Sequence, residues 1–379
     1  MTTRAVGRGD SGLSPGVTSF LLVGSVWLVS RLGLGVLAGA QMIGHDVTLT
    51  EVVSRWDVLH FLGIARHGYL DPNDVAFFPG LPALLAAAGR LGLPLVGTGI
   101  VLSLLASGLA AWALARLGGP IVACLWLVAP TAVFTAVPYT EALFCAAAFW
   151  AWWFATQDRW GTAAACAGLA CTFRVSGLFL VGALGLLALS QVWRTSGWAR
   201  GLARRSAWLL VPLAVLGGYA LYLHHLTGTW TAWMVAEQTG WARSFTDPLS
   251  AFRNTWRAGA PSAWPGRPEV AWVFRAEIVS MALGLVATLW SLARRQWARA
   301  GFVGVQVLAF GTSYWYMSVT RAVLLWFPLF VLLAGLVTWQ PADPRRRLAW
   351  RVLVIFALVV QVLAMLAWAW LFLTGRWSG

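Results

Sequence analysis

Residues 55–67 place an acid and two histidines on one side of a predicted helix. Asp57, His60, Ile64 and His67 follow each other at i, i+3 and i+4 spacing, so they share one stripe. A carboxylate can accept a proton from an attacking hydroxyl, and an imidazole can donate a hydrogen bond to a leaving group. The spacing therefore predicts an amphipathic helix at a membrane surface, with its polar face available for chemistry.

Each of these residues also has a structural interpretation. An acid at a helix start can simply complement the positive end of the helix dipole, which would explain Asp57. Asp57, His60 and His67 could be metal ligands, but two helical turns separate the histidines by about 10 Å, too far for one ion to bridge. We therefore assign no metal ligands. The residues leave open whether a divalent cation assists.

The class of the protein follows from its composition. The 379 residues are 59% apolar and only 11% charged, and the mean hydropathy is +0.73. Apolar runs with few charges predict an all-α polytopic membrane protein, and the 26 tryptophans fit interfacial belts. The net charge of +14 comes from arginines gathered in short loops, which is the positive-inside pattern and argues against nucleic-acid binding.

The arginine-rich loops predict the topology of a single domain, residues 1–379. Three such loops are expected in the cytoplasm, together with a tail at 1–16; they are 194–206, 294–299 and 345–351. Loops 43–76 and 227–272 are then extracytoplasmic. Parity requires that one apolar segment does not cross, and 78–93 is the best candidate because it is short and interrupted by Arg90. We expect about 11 transmembrane helices.

Three charged residues interrupt apolar segments on the same predicted side as Asp57. They are Glu141, Arg174 and Arg321. A charge at this depth is costly unless it reaches the interface or faces a cavity or partner. The residues could simply extend toward the interface, but two arginines beside one mouth also suit an anionic group such as the phosphate of a lipid carrier.

The second extracytoplasmic loop adds aromatic and polar residues to that mouth. Glu237, Gln238 and Trp241 lie in its tryptophan-rich part. Aromatic faces with scattered polar groups hold sugars in many proteins, although in a membrane protein such a loop can also serve as an interfacial anchor.

Several short motifs are distributed along nearly the whole chain. They are Arg55-Trp56-Asp57, His60-Phe61, Ile64-Ala65, Gly68-Tyr69, Phe77-Phe78-Pro79 with Pro82, Pro138-Tyr139-Thr140-Glu141, Arg174 to Gly177, Gly228 to Trp241, and Arg321 with Phe327-Pro328. Together they resemble the PIG-V type glycosyltransferases, the GPI mannosyltransferase II family and its bacterial relatives. Gly80 and Val175-Ser176 depart from the pattern, which affects the expected acceptor more than the reaction class.

The resemblance implies a GT-C type bundle in a bacterial plasma membrane, with an active site on the extracytoplasmic face. It also implies a polyprenyl-phosphate-mannose donor, and it makes Asp57 the expected general base. The acceptor could be a glycolipid or another envelope molecule, including a polysaccharide or a protein. No glycine-rich nucleotide-binding loop stands in the sequence, which fits a lipid-linked donor.

With this reaction in view, each polar residue receives an expected role. Asp57 would deprotonate the acceptor hydroxyl in a single inverting displacement, and Arg174, Arg321 and His60 would bind the donor phosphate. Sugar and acceptor binding is expected from a third set: Arg55, Trp56, His67, Tyr139, Glu141, Glu237, Gln238 and Trp241. A transporter or flippase of a lipid-linked or small polar substrate is the alternative, because intramembrane charges can also line a pathway.

Overall fold

The computed structural model describes residues 15–379, and that part of the chain contains helices, loops and one isolated bridge between Phe245 and Ser313. Of the tail predicted at 1–16, residues 1–14 lie outside the described residues. The α-helices are α1 (Pro15–His45), α2 (Leu49–Val53), α3 (Asp57–His67), α4 (Gly80–Arg90), α5 (Leu95–Gly118), α6 (Pro120–Leu127), α7 (Glu141–Thr156), α8 (Trp160–Cys171), α9 (Ser176–Val192), α10 (Trp198–Trp208), α11 (Leu210–Thr227), α12 (Ala232–Trp241), α13 (Pro248–Ala258), α14 (Pro268–Ala293), α15 (Trp297–Gly311), α16 (Val319–Ala322), α17 (Phe327–Thr338) and α18 (Pro344–Leu373). Short 3-10 helices cover Pro72–Ala76, Ala132–Thr135, Pro261–Ala263 and Val323–Leu325.

The fold confirms an all-α polytopic membrane protein. Five helical segments are long and apolar enough to cross a membrane, and there are six if the bent pair Val319–Leu325 and Phe327–Thr338 is one span. The other apolar segments form shorter helices, so the number of about 11 crossings stays a prediction. Segment 78–93 forms the 11-residue α4, which rises only about 16 Å, roughly half of a bilayer core.

Short helices fill both loops predicted to be extracytoplasmic. Helices α2 and α3 lie within 43–76, and α12 and α13 lie within 227–272. The amphipathic helix expected after residue 55 is present as α3, and it packs against the bundle through Val58, Phe61 and Leu62. Residues of α3 and α12 lie beside residues at the starts of α7, α9 and α16.

Large aromatic side chains hold the centre of the bundle together. Trp126, Trp152 and Trp326 are fully buried, and Trp126 Nε1 donates a 2.8 Å hydrogen bond to the carbonyl oxygen of Leu324. Close packing here depends on small residues, as is usual between helices in lipid. A Cβ added at Gly284 would lie 2.6 Å from Val307 Cγ2, so a larger residue would push helices apart.

Candidate active site

Asp57 is the first residue of α3, and the backbone before it has an unusual conformation. Trp56 has φ 53° and ψ −125°, a region that a bulky side chain rarely adopts and that costs on the order of 1–3 kcal/mol. The Asp57 amide donates a 3.3 Å hydrogen bond to the hydroxyl oxygen of Tyr139. Strain of this kind is concentrated at functional sites, because the surrounding structure must enforce it.

Four charged side chains alternate in sign across the site. Arg321 Nη1 lies 2.8 Å from Asp57 Oδ2, and Arg174 Nη1 lies 2.8 Å from Glu141 Oε1. Arg321 Nε joins the two pairs, because it lies 3.3 Å from the same Glu141 oxygen, although without hydrogen-bond geometry. Thr140 Oγ1 accepts a further 2.9 Å hydrogen bond from Arg174. We call Asp57, Arg321, Glu141 and Arg174 the charge chain.

Burial makes the pairing within the charge chain necessary. Glu141 is fully buried, and only 7% of the Arg321 surface is exposed. A buried charge without a partner is strongly destabilising, whereas a paired one is tolerated. Arg321 also lies 5.3 Å from the ring centres of Phe134 and Tyr139, where the ring faces attract the guanidinium.

A second buried acid, Glu277 on α14, holds the segment that carries Arg321. Its carboxylate accepts hydrogen bonds from the amides of Ser318 and Thr320, each 2.9 Å long, and one of 3.2 Å from the Thr320 hydroxyl. Ser318 adopts a left-handed conformation with φ 64°, so these bonds fix a strained turn directly before α16. Glu277 received no predicted role from the sequence. The available signal was an acid inside the apolar run 273–293.

His60 takes part in a separate pair beside the charge chain. Its Nδ1 lies 2.8 Å from Asp74 Oδ1, and its ring stacks on Phe77 with 4.7 Å between ring centres. Trp241 approaches the same ring at 6.0 Å. Asp74 received no role from the sequence, and the structure shows that this buried acid orients His60.

These elements surround a cleft of about 870 Å³, a volume that includes the open space at its mouth. Its lining combines residues from both predicted outer loops with the starts of the bundle helices: Trp56, Asp57, Phe61, Ala76, Phe77, Phe78, Thr140, Phe173, Arg174, Val175, Trp233, Glu237, Trp241, Arg243, Met317, Ser318, Arg321, Trp377 and Gly379. Arg243 had no predicted role. Its Nη1 lies 3.4 Å from Glu237 Oε2, and its Nη2 donates to the carbonyl oxygen of Met317 at 3.3 Å.

The structure brings most of the predicted site residues together. The lining contains Trp56, Asp57, Arg174, Glu237, Trp241 and Arg321. His60, Tyr139 and Glu141 lie directly behind that lining, in contact with it. The other three do not line the cleft: His67 and Gln238 are exposed, and Arg55 lines a different pocket.

Asp57 is well placed to act as a base. Arg321 binds its Oδ2, and within residues 15–379 no hydrogen bond occupies Oδ1, which leaves that oxygen free for an acceptor hydroxyl. The described residues contain no group of three or more His, Cys, Asp or Glu side chains that could hold a metal ion. The cleft can therefore position a substrate, accept a proton at Asp57 and offer arginine donors to an anionic leaving group.

The fold and the cleft define an all-α polytopic membrane protein with a charged, aromatic-lined site. Comparison with known proteins refines this class. The chain is 37% identical over 175 residues to GPI alpha-1,6-mannosyltransferase 2 of Mus musculus, an alignment that covers 41% of this chain and 34% of the mouse protein. It is 36% identical over 151 residues to the Homo sapiens protein of the same name, covering 35% of this chain and 31% of that protein. The aligned part thus spans about a third of these curated relatives. No family model matches the chain. The predicted resemblance is confirmed for the aligned part of the chain, which is similar to GPI alpha-1,6-mannosyltransferase 2.

Proposed function

We propose that this protein is an inverting mannosyltransferase that uses a polyprenyl-phosphate-mannose donor. It transfers mannose to a glycolipid or another envelope acceptor on the extracytoplasmic face of a bacterial plasma membrane. The observation that carries the proposal is the position of Asp57 in the cleft, ion-paired with Arg321 at 2.8 Å. The similarity to mannosyltransferases supports the transferred sugar.

The proposed reaction is one displacement at the anomeric carbon. The acceptor oxygen forms the new bond to that carbon while the bond to the donor phosphate breaks, and the acceptor proton moves to Asp57 Oδ1. The ion pair with Arg321 fixes the direction of the Asp57 carboxylate. The electron pair of the broken bond stays on the leaving phosphate, which is already anionic and needs no strong acid.

The arginines can serve the phosphate without leaving their acids. A guanidinium has five N–H donors, and the contacts described above use only some of those on Arg174 and Arg321. The free donors point to a phosphate held between them, with His60 as a further donor. Trp241 and Trp233 supply aromatic faces for a sugar ring in the same cleft.

The test is transfer of labelled mannose from synthetic polyprenyl-phospho-mannose by membranes that contain the protein. Asp57→Asn keeps the size of the side chain and removes its basicity, so we expect a loss of about 100-fold or more with donor binding retained. The matched control is Asp46→Asn, because Asp46 lies exposed in the turn after α1 and outside the cleft.

Two outcomes would contradict the proposal. Full activity of Asp57→Asn would exclude Asp57 as the base and direct attention to Glu237 or Glu141. Native protein that transfers no mannose to any lipid extract, but moves a labelled lipid-linked substrate across a vesicle membrane, would replace the enzyme with the transporter or flippase.

A further inference from the structure

A second pocket of about 860 Å³ lies between the ends of two long apolar helices. Its lining comes from the last turns of α1 and α18, from α2, and from residues just after α1, α2 and α18. These residues are Gln41, His45, Val47, Val52, Arg55, Trp370, Leu373, Thr374 and Arg376. We call it the terminal pocket. It shares no lining residue with the cleft.

The terminal pocket carries positive charge and has no acid in its lining. Arg55 and Arg376 both line it, together with His45. Within the part of the chain that the structure describes, neither arginine makes an ion pair or a side-chain hydrogen bond. Arg376 instead lies over the ring of Trp370, with 4.8 Å to the ring centre, which keeps all of its donors available.

Arg55 gives the more specific signal. Its Nε is buried without a hydrogen-bond partner among the described residues, and its guanidinium packs against the backbone of Gly375, where a Cβ would lie 3.4 Å from Cζ. An unsatisfied buried donor is costly, so buried polar atoms nearly always have a partner. Packing against Gly375 therefore holds the Arg55 side chain in place, and its buried Nε has no acceptor among the described residues.

Glu51 lies near enough to interact with the charge of Arg55, but the two residues do not form an ion pair. Glu51 accepts hydrogen bonds from the Thr48 amide at 2.7 Å and from its hydroxyl at 2.8 Å, as the capping box of α2. Those hydrogen bonds, and to a smaller extent the charge of Arg55, lower the pKa of Glu51, so it stays ionised at neutral pH. Because Glu51 is already committed to Thr48 and exposed to solvent, it offsets the arginine charge only weakly.

We propose that the terminal pocket binds a phosphate or phosphodiester group through Arg55 and Arg376, and that this group is the headgroup of an anionic membrane lipid. Two arginines without acids suit a phosphate, which accepts several charge-assisted hydrogen bonds at once. Both helices that end here are candidate membrane spans, and their exposed surfaces near the pocket are apolar, as at Ile43 and Leu363. The acyl chains of a lipid can pack against these apolar helix surfaces, whereas a soluble anion would contact only the arginines.

The experiment measures binding of fluorescent phosphatidylglycerol to the full chain in phosphatidylcholine nanodiscs. We expect Arg55→Gln and Arg376→Gln each to weaken binding about tenfold, because each removes charge-assisted hydrogen bonds. The matched control is Arg351→Gln, an exposed arginine on the same helix α18 but outside the pocket, and it should leave binding unchanged. Thermal unfolding without the anionic lipid establishes that each variant is folded.

A second arm separates the two sources of phosphate. Inorganic phosphate and glycerol phosphate are titrated as competitors, and a lipid site predicts that they displace the labelled lipid only at far higher concentration. Arginine-dependent binding of inorganic phosphate as tight as that of the lipid would support a phosphate site but overturn its assignment to a lipid. Equal binding by all variants, or failure of unlabelled phosphatidylglycerol to displace the labelled lipid, would overturn the site itself. Neither readout depends on mannosyl transfer, so failure of the proposed enzyme activity would leave this result intact.

Discussion

The cleft and the terminal pocket handle positive charge in opposite ways. In the cleft, Arg174, Arg243 and Arg321 each have a carboxylate oxygen within 3.4 Å. In the terminal pocket, the two lining arginines have no such partner among the described residues. Paired charges orient one another and resist being pulled apart, whereas unpaired charges attract an anion from outside.

This difference suggests separate tasks for the two regions. A cleft in which acids and arginines balance can hold a neutral sugar and still move a proton, because its base is fixed in direction. A pocket with uncompensated arginines offers strong attraction but no base, so it can anchor a group without reacting with it. The following variants test that division, beginning with the one that should change activity most.

Removing the arginine that directs Asp57 should have the largest effect. Arg321→Gln deletes the 2.8 Å ion pair and also a donor for the leaving phosphate, so we expect mannosyl transfer to fall about 100- to 1,000-fold. The double variant with Asp57→Asn should be little worse than Asp57→Asn alone, because the two residues act as a unit. Transfer rates for the four members of this cycle are the measurement. Fully additive losses would show that Arg321 and Asp57 act independently.

Breaking the charge chain at its centre should reduce stability. Glu141→Gln leaves Arg174 without its carboxylate and leaves Arg321 with Asp57 alone, so we expect a loss of up to about 3 kcal/mol, moderated because Arg174 is partly exposed. Thermal unfolding in detergent micelles measures the change. Glu269→Gln, in the first turn of α14, is the control acid outside any described ion pair and should shift the midpoint much less. Equal shifts for both variants would mean that the charge chain contributes no special stability.

Glu277 should affect activity by positioning Arg321 without touching substrate. Glu277→Gln weakens the bonds to Ser318 and Thr320, so we expect kcat to fall about tenfold while KM for the donor changes little. Glu277→Asp keeps a carboxyl group and should recover part of the loss. A purely structural role would instead lower the yield of folded protein and leave the kcat of the folded fraction unchanged, and that result would exclude Glu277 as a positioning residue.

The sequence predicted the class of the protein and the cleft, but it did not predict the terminal pocket. Apolar runs and arginine-rich loops gave the class, and the motif around Asp57 identified the cleft because it combines an acid with helical spacing. The pairing could not be predicted, since Asp57 and Arg321 are 264 residues apart and only the folded bundle brings them together. The sequence suggested that both arginines bind a phosphate, and the structure shows that each is also ion-paired with an acid.

The terminal pocket was missed for a related physical reason. Arg55 stands two residues before Asp57, so the sequence suggested one shared site, but the strained turn at Trp56 directs the two side chains into different cavities. Arg376 lies near the other end of the chain and has no motif around it. Likewise, the length of each crossing depends on where helices break, and the 76° bend after Leu325 cannot be read from an uninterrupted apolar run.

The smallest expected effect is a difference in how salt changes ligand binding at the two regions. Exposed charges are screened within about 8 Å at physiological ionic strength, whereas buried pairs are screened much less. Raising sodium chloride from about 0.05 M to 0.5 M should therefore weaken phosphatidylglycerol binding at the terminal pocket several-fold. The KM for donor at the cleft should change less than twofold, because its arginines are already paired. Sodium gluconate in place of chloride controls for direct anion competition. If salt weakened lipid binding and raised the donor KM by the same factor, the contrast between paired and unpaired arginines would have no consequence for ligand binding. The two regions would then have to be treated as one electrostatic surface.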